Sequence, residues 1–314
     1  MNALSILSPP TLSTTDIVSL FLAGRNESTL AAYGTDLNDF ASFLGTQDPN
    51  EAAQVFLSHG PGHANRLALE YKNVLADPSA RNLSPASINR KLSTLRSLTK
   101  LARMLGLIEW RLEVENVKCE SYRDTRGPTE SGFKRILRQS EQRTDPKGIR
   151  DQAILCLLHD VALRRGELVS LDLQDVDVYN QTIAVKGKGK REKSRMSLPE
   201  RTMDTLTTWI QIRGNDPGPL FTNLSRNPNT SGSRLTSTAV YQIIQKIGQD
   251  IDIKVTPHGL RHTGITTAVE RAQARGIDLN KIRQFSRHAK LATLQIYVDQ
   301  HENWQGQVAE MVAK

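Results

Sequence analysis

The stretch that decides the fold runs from Thr256 to Tyr297 and reads TPHGLRHTGITTAVERAQARGIDLNKIRQFSRHAKLATLQIY. Thr256 and Pro257 predict a helix start, because threonine is a good N-cap and proline fits the first helical position. His258 and Arg261 then share one face of the first turn. The same turn presents free N–H groups and the positive end of the helix dipole, which favour an anion. We interpret it as a phosphate clamp.

Two further residues of this stretch have functional groups suited to the same chemistry. His288 and Tyr297 lie nine residues apart, and a tyrosine beside a phosphate clamp is a candidate nucleophile. Each feature alone has a simpler explanation, since a His-x-x-Arg pattern is usually a solvated helix face and a lone tyrosine is usually packing. The catalytic hypothesis therefore requires a second phosphate-binding arginine and a proton donor upstream.

The second arginine is found after an apolar segment, 149–159, which predicts a buried helix. Arg164 lies in the sequence ALRRGEL, and Glu167 follows three residues later. A carboxylate at that spacing can hold the guanidinium in position. A simple surface Arg–Glu pair is the alternative.

A predicted β-hairpin carries a candidate lysine. Residues 176–199 alternate in the manner of two strands joined by the turn Gly187-Lys188-Gly189-Lys190. Lys188, between two glycines, could reach into a groove while the backbone stays close to its target. A solvated turn is the alternative here.

Composition narrows the function classes. The 314 residues carry a net charge of +8, and the first 123 have equal numbers of basic and acidic residues, so the whole excess follows them. A basic C-terminal part suits a polyanionic partner. No apolar run approaches membrane-spanning length, no signal peptide is evident, and no metal-binding spacing is present. The two cysteines, Cys119 and Cys156, make no disulfide framework, which fits a soluble protein in a reducing cytoplasm.

The N-terminal part predicts a small all-helical domain. Helices are expected at 14–22, 27–44, 66–76 and 84–105, and Ser84 with Pro85 marks the start of the last of these. That helix has an apolar side and no acidic residue, so its cations are candidates for contact with the DNA backbone. A solvated helix face is the alternative. The candidate DNA-binding residues are Arg90, Lys91, Arg96, Lys100 and Arg103.

The segments suggest an order of domains. We expect a disordered N-terminus at 1–13, a helical domain at 14–115, a polar linker at 116–128 and a second domain at 129–314, with a tail at 298–314. A long Asn-, Ser-, Gly- and Pro-rich loop at 214–235 is of the kind that is often functional or mobile.

The combined motifs resemble the tyrosine recombinases, the phage integrase family, along the whole chain. The resemblance rests on ALRRGEL, VKGKGK, TPHGLRHT and the spacing of His288 and Tyr297, in that order. It implies a mainly α fold with a small antiparallel β-sheet, in which a helical core-binding domain precedes an α+β catalytic domain. It also implies a site-specific recombinase or integrase, associated with mobile elements, that uses no metal and no cofactor. The same resemblance implies double-stranded DNA as the partner and a homotetramer on paired DNA sites. It also implies a bacterial cytoplasm, with association with the nucleoid when the protein is bound to DNA.

The resemblance also implies a role for each residue. Tyr297 would attack the scissile phosphate to give a 3′-phosphotyrosyl link, and Lys188 would protonate the leaving 5′-oxygen. Arg164 and Arg261 would bind the non-bridging oxygens, and Glu167 would support the site. His258 would assist proton transfer, and His288 would donate a hydrogen bond to the phosphate.

Two positions depart from the family pattern. The family commonly has glycine where this chain has Ala162, and Leu-Gly before the third-site histidine where it has Ser286 and Arg287. The second change could alter the loop before His288, and Arg287 could add a phosphate contact.

Two other functions remain open from the sequence. A type IB topoisomerase would use similar chemistry but only nick and reseal one duplex, and a decayed integrase would bind DNA without cutting it. The helical N-terminal domain and the short tail after Tyr297 favour a recombinase over a topoisomerase, and the filled catalytic positions argue against decay.

Overall fold

A computed structural model describes residues 17–24, 27–118, 127–187, 189–190, 192–288, 294 and 304–313. The protein is mainly helical with one three-stranded antiparallel sheet, as predicted. It divides into two compact units between Ser121 and Tyr122. The expected disordered segment 1–13 and residues 119–126 of the expected linker lie outside the described residues. Over the described ranges, no helix combines the length and apolar character that crossing a bilayer requires.

The described part of the N-terminal unit contains five helices joined by short connections. They are α1 (Ile17–Leu22), α2 (Glu27–Leu44), α3 (Pro49–Ser58), α4 (Gly60–Ala76) and α5 (Pro85–Met104). The predicted start of α5 is confirmed, since Ser84 caps the helix by accepting from the Ser87 N–H at 3.4 Å. In contrast, α4 begins earlier than predicted, because proline occupies its first turn and Ala64 already packs in the core.

Aromatic rings form the centre of this unit. The Phe40 ring meets the rings of Phe56 and Tyr71 edge-on, at centroid distances of 5.2 and 5.1 Å. All three residues are at most 1% exposed, so helices α2, α3 and α4 share one apolar core. Edge-to-face packing of this kind adds to the energy of burial itself.

A buried carboxylate joins α2 to α5. Asp36 is 2% exposed and accepts hydrogen bonds from Arg90 Nη1 at 2.6 Å and Thr94 Oγ1 at 2.9 Å. Lys91 Nζ lies 3.5 Å from Asp36 and 2.9 Å from Asp39. The anions that balance this basic helix therefore come from another helix, which the sequence of α5 alone could not reveal.

Replacing Asp36 by Asn should destabilise the N-terminal unit by about 3–5 kcal/mol, because it removes one partner of a buried ion pair and leaves Lys91 undercompensated. Urea denaturation followed by far-UV circular dichroism would measure the loss. Glu70→Gln is the matched control: its half-exposed carboxylate pairs with Arg66 at 3.8 Å, and such pairs contribute about 1 kcal/mol or less. Equal stability of the two variants would contradict the role assigned to Asp36.

The C-terminal unit combines helices with the small sheet. Its elements are α6 (Glu130–Glu141), α7 (Pro146–His159), α8 (Arg165–Val169), β1 (Val176–Asp177), β2 (Thr182–Lys186), β3 (Lys193–Ser197), α9 (Glu200–Arg213), α10 (Ser237–Gln249), α11 (Pro257–Gln273) and α12 (Leu279–Ser286), followed by a last helix at Trp304–Ala313.

Helix α7 is the centre of this unit. Residues 153–158 are wholly buried, and the helix packs against α6, α9 and α11. Helix α11 approaches it closely at Gly264, where an added Cβ would lie 2.1 Å from the carbonyl oxygen of His159. A side chain at position 264 would therefore push apart the two helices whose ends carry the candidate site.

The predicted hairpin is confirmed in β2 and β3. Ile183 pairs with Met196 and Val185 with Ser194, and both Ile183 and Val185 are buried. The Lys190 N–H donates to the Gly187 carbonyl at 3.0 Å. Lys188 lies outside the described residues.

The predicted long loop at 214–235 is attached to the rest of the unit at several points. Leu220 and Phe221 are buried, and the indole N–H of Trp209 donates to the Leu220 carbonyl at 2.9 Å. Arg234 donates to the carbonyls of Val169 and Leu171 at 2.8 and 2.9 Å. These contacts fix both halves of the loop.

Candidate active site

The first arginine of the site, Arg164, lies in the loop between α7 and α8. Arg164 Nη1 donates to Glu167 Oε1 at 2.8 Å, and the Arg164 backbone N–H donates to Glu167 Oε2 at 2.8 Å. Glu167 is 4% exposed, whereas the Arg164 side chain is 34% exposed. The carboxylate is thus a buried support, and the guanidinium keeps an accessible side that can meet an anion.

The second arginine comes from the first turn of α11. Thr256 caps this helix, accepting from the Gly259 N–H at 3.0 Å, with Pro257 in the first turn, so the predicted helix start is confirmed. Arg261 is 3% exposed and donates to the carbonyl oxygens of Ala162 and Ser286. Arg261 therefore joins the loop after α7 to the end of α12.

The third part of the site lies at the end of α12. Arg287 adopts a left-handed conformation, with φ 54° and ψ 35°, and its N–H closes the helix on the Arg283 carbonyl at 2.8 Å. Its own carbonyl accepts from Arg164 Nη2 at 3.2 Å. The loop at His288 is thereby attached to the first arginine.

Electrostatics shows that the histidines and arginines lie together. The pKa of His288 is lowered to about 4 by burial and by the charges of Arg261, Arg164 and Arg287. The pKa of His258 is also lowered, by removal of water from part of the ring and by Arg261 and Arg164. Both imidazoles are therefore neutral near pH 7, so each can accept a proton as well as donate a hydrogen bond.

Five of the predicted site residues are thus brought into one place by the ends of α7, α11 and α12. They are Arg164, Glu167, His258, Arg261 and His288. Lys188 and Tyr297 lie outside the described residues, so their assignments remain predictions. Within the described ranges, no group of three or more His, Cys, Asp or Glu side chains is placed to hold a metal ion.

Arg287 was suggested above as a possible phosphate contact, and the structure gives its side chain a different place. The side chain is 14% exposed, and Nη2 lies 3.0 Å from Glu167 Oε2. The guanidinium of Arg287 points inward because Glu167 lies on that side. Among the described residues, Glu167 is the only carboxylate of the site.

The candidate DNA-binding helix needs one correction. Lys91 is 7% exposed and paired with Asp36 and Asp39, so its ammonium group is withdrawn from any phosphate. Lys91 occupies the apolar stripe of α5, three residues after Ile88 and four before Leu95, which is the signal that could have revealed its burial. Arg90, half exposed, also pairs with Asp36.

The other end of α5 carries three more of the predicted DNA-binding cations. Arg96 binds the Asn116 side chain at 2.9 Å, while Lys100 and Arg103 line a depression of about 320 Å³. Trp110 and Arg111 line the same depression, and neither was singled out from the sequence, since both follow the helix.

Comparison with known proteins gives the family of the chain. The sequence profile of the phage integrase family matches residues 129–303. A tyrosine recombinase of Synechococcus elongatus is 34% identical over 307 residues, covering 95% of this chain and 93% of its own. The chain therefore belongs to the phage integrase family, and it is a tyrosine-type site-specific recombinase.

Solved structures share the fold. The Tn1549 transposon integrase in complex with a circular intermediate DNA superposes with a TM-score of 0.68 at 16% identity, covering 96% of this chain and 99% of its own. XerH site-specific recombinase bound to a palindromic difH substrate, a post-cleavage complex, gives a TM-score of 0.66 at 19% identity, covering 96% and 85%. The predicted fold class is confirmed by these matches.

Proposed function

We propose that this recombinase cleaves and rejoins double-stranded DNA through a 3′-phosphotyrosyl intermediate on Tyr297, without metal or ATP. The observation that carries the proposal is the convergence of Arg164, Arg261, His258 and His288 on one site. Two guanidiniums and two neutral imidazoles are the groups that transfer of a phosphodiester needs in the absence of a metal ion. The DNA bound to XerH and to the Tn1549 integrase supports the choice of substrate.

The proposed reaction is one exchange of phosphate esters. Tyr297 Oη forms a bond to the scissile phosphorus while the bond from phosphorus to the 5′-oxygen breaks. His258 accepts the phenol proton, because its lowered pKa leaves the imidazole unprotonated near pH 7. Lys188 donates a proton to the leaving oxygen. The phosphotyrosyl ester keeps the energy of the original ester, so a 5′-hydroxyl can reverse the step without ATP.

The proposed electrostatics follows from the fixed arginines. Negative charge builds on the non-bridging oxygens in the transition state, and preorganised guanidiniums stabilise that charge without moving. Arg164 is the more accessible of the two. Arg261, buried beneath the loops, contributes its charge. Burial, together with the charge of Arg261, lowers the pKa of His288 and keeps the ring neutral, so that His288 can donate one hydrogen bond to the phosphate.

For DNA contact outside the site we propose the accessible cations along α5 and just after it. Positive charges near phosphates release counterions and supply affinity without reading sequence. With Lys91 withdrawn, the proposed contacts are Arg90, Arg96, Lys100 and Arg103, together with Arg111.

We also propose a homotetramer on paired sites, assembled through the tail. The last helix exposes Met311 and Val312, whose side chains are 74% and 82% accessible. Exposed apolar side chains on a short terminal helix suit docking on a neighbouring copy. The alternative, in which the tail folds back on its own chain, is less favoured because both side chains are exposed in the single chain.

Tyr297→Phe should bind DNA with unchanged affinity and form no covalent adduct, because it removes only the attacking hydroxyl. The measurement is an SDS-stable protein–DNA band on a nicked suicide duplex. Tyr179→Phe, at a side chain that is 95% exposed, and Tyr241→Phe are the controls and should retain the band. A band from Tyr297→Phe, lost in a control, would place the nucleophile elsewhere.

The same substrates separate the alternative functions. Wild-type protein that binds the duplex without any adduct would indicate a non-catalytic DNA-binding protein. Relaxation of supercoiled DNA without strand exchange between two sites would indicate topoisomerase activity. Adduct formation together with exchange supports the recombinase mechanism.

Lys188→Ala should slow cleavage by about 10²- to 10⁴-fold with little loss of affinity, because it removes the proposed general acid. A substrate with sulfur in place of the 5′-bridging oxygen needs little protonation of its leaving group and should restore the rate. Lys190→Ala, on the same turn, is the control. Failure of the sulfur substrate to rescue Lys188→Ala would show that the lysine only contacts the backbone.

Deleting residues 303–314 should leave binding to a single site intact and impair recombination of two sites, because the tail would no longer join the copies. Met311→Ser with Val312→Ser is the milder variant and removes only the exposed apolar surface. Gel-shift assays on one and on two sites measure both steps. Synapsis that proceeds normally in both variants would refute docking through the tail.

A further inference from the structure

Two residues of the active-site loops adopt a backbone conformation that normally belongs to glycine. Ala162 has φ 49° and Arg287 has φ 54°. Residues with a Cβ avoid this region because the Cβ approaches the following carbonyl. The methyl group of Ala162 makes few contacts that could offset the backbone strain. The long side chain of Arg287 makes several, and these offset the strain at its own position.

Both terminal nitrogens of the Arg287 guanidinium have acceptors, whereas Nε is buried without one among the described residues. Nη2 donates to the Ala162 carbonyl at 2.7 Å and to Glu167 Oε2 at 3.0 Å. Nη1 donates to the Val161 carbonyl at 3.2 Å and contacts Met196 Sδ at 3.0 Å. The side chain therefore crosses from the end of α12 to the loop after α7 and reaches β3.

Glu167 is shared between two arginines. Its Oε1 accepts from Arg164 Nη1 at 2.8 Å, and its Oε2 accepts from Arg287 Nη2 at 3.0 Å. Arg164 Nη2 in turn donates to the Arg287 carbonyl at 3.2 Å. The three residues form a closed ring of hydrogen bonds, in which the Glu167 carboxylate links the two guanidiniums and the Arg287 backbone links back to Arg164.

The charge of Arg287 also keeps Glu167 ionised. Burial alone would raise the pKa of this carboxyl group, but Arg287, followed by the backbone and side chain of Arg164, lowers it overall. An ionised Glu167 can accept from both arginines at once, whereas a protonated carboxyl would lose one acceptor.

We propose that Arg287 is a positioning residue that fixes Arg164 through Glu167 and does not itself bind DNA phosphate. The inference rests on the proposed function, since it assigns to Arg164 the task of holding the scissile phosphate. A guanidinium fixed before the substrate arrives needs no reorganisation in the transition state. An outward swing of Arg287 would instead leave Glu167 and two carbonyls without a donor they now have.

The first test separates binding from cleavage with Arg287→Met and Arg287→Gly. Arg287→Met should cleave a suicide duplex about 100-fold more slowly at saturating protein, the effect of a misplaced reacting group. Its affinity should keep the wild-type dependence on salt. Arg287→Gly relieves the backbone yet should remain as slow, because it also lacks the guanidinium.

Arg283→Met is the matched control, because it removes one charge from an exposed position of the same helix. The positioning role is overturned if Arg287→Met cleaves at the wild-type rate, or if Arg287→Gly recovers that rate. The loss of one phosphate contact reduces the magnitude of the slope of log affinity against log salt concentration by about 0.9. The positioning role is also overturned if Arg287→Met shows this reduction and Arg283→Met does not.

A double-mutant cycle tests whether Arg287 acts through Glu167. Glu167→Gln, Arg287→Met and the double variant should cleave at similar rates, because each breaks the same ring. Rates that fall multiplicatively in the double variant would show that Arg287 acts independently of Glu167.

A measurement without DNA keeps this inference separate from the proposed function. Glu167 has a lowered folded-state pKa, so it stabilises the protein above the unfolded-state pKa, and that stability is lost as pH falls through the folded-state value. In Arg287→Met the free energy of unfolding, measured in urea, should begin to fall at a higher pH than in the wild type, so its acid limb is displaced. Adding Glu167→Gln should abolish the displacement. An unmoved limb would overturn the link between Arg287 and Glu167, whereas a wild-type protein that forms no adduct would overturn the proposed function and the positioning role with it.

Discussion

The carbonyl oxygen of Ala162 accepts from two arginines, Arg261 and Arg287, and the rest of the active site depends on this arrangement. Three guanidiniums close together repel one another, and the repulsion is strong where water is excluded. One carboxylate and a set of carbonyl dipoles balance them. The loop after α7 must therefore turn its carbonyls inward, and the left-handed conformation of Ala162 is part of that turn.

The two large helices make such a loop possible. Residues 153–158 of helix α7 are apolar on all sides and wholly buried, so the end of the helix provides a fixed origin for Arg164. Helix α11 approaches that end through the bare backbone at Gly264, one turn beyond Arg261. Packing thus determines where the charges meet, and the hydrogen bonds then determine their orientation.

Local signals were sufficient for much of the fold. The caps at Ser84 and Thr256 and the alternating hairpin depend on neighbouring residues, so the sequence predicted them. The site residues on α8, α11 and α12 were found because their chemistry is specific and their order matches a known family. The inward direction of Arg287 could not be predicted, because it depends on Glu167, 120 residues away along the chain.

The burial of Lys91 escaped prediction for a similar reason, although a signal was present. Asp36 lies three residues after Tyr33 and four before Phe40, on the apolar face of α2, and Lys91 lies on the apolar face of α5. A charged residue on each of two apolar faces suggests a pair, but nothing in either helix identifies the other as the partner.

That pair has an evolutionary consequence. Replacing a buried ion pair by apolar residues of similar volume is often neutral, whereas losing one partner is costly. Substitutions at Asp36 and Lys91 are therefore coupled. Changing one of the two residues first produces a destabilised intermediate, and only the second change relieves it. The coupling of the two positions thus comes from folding stability and involves no residue of the active site.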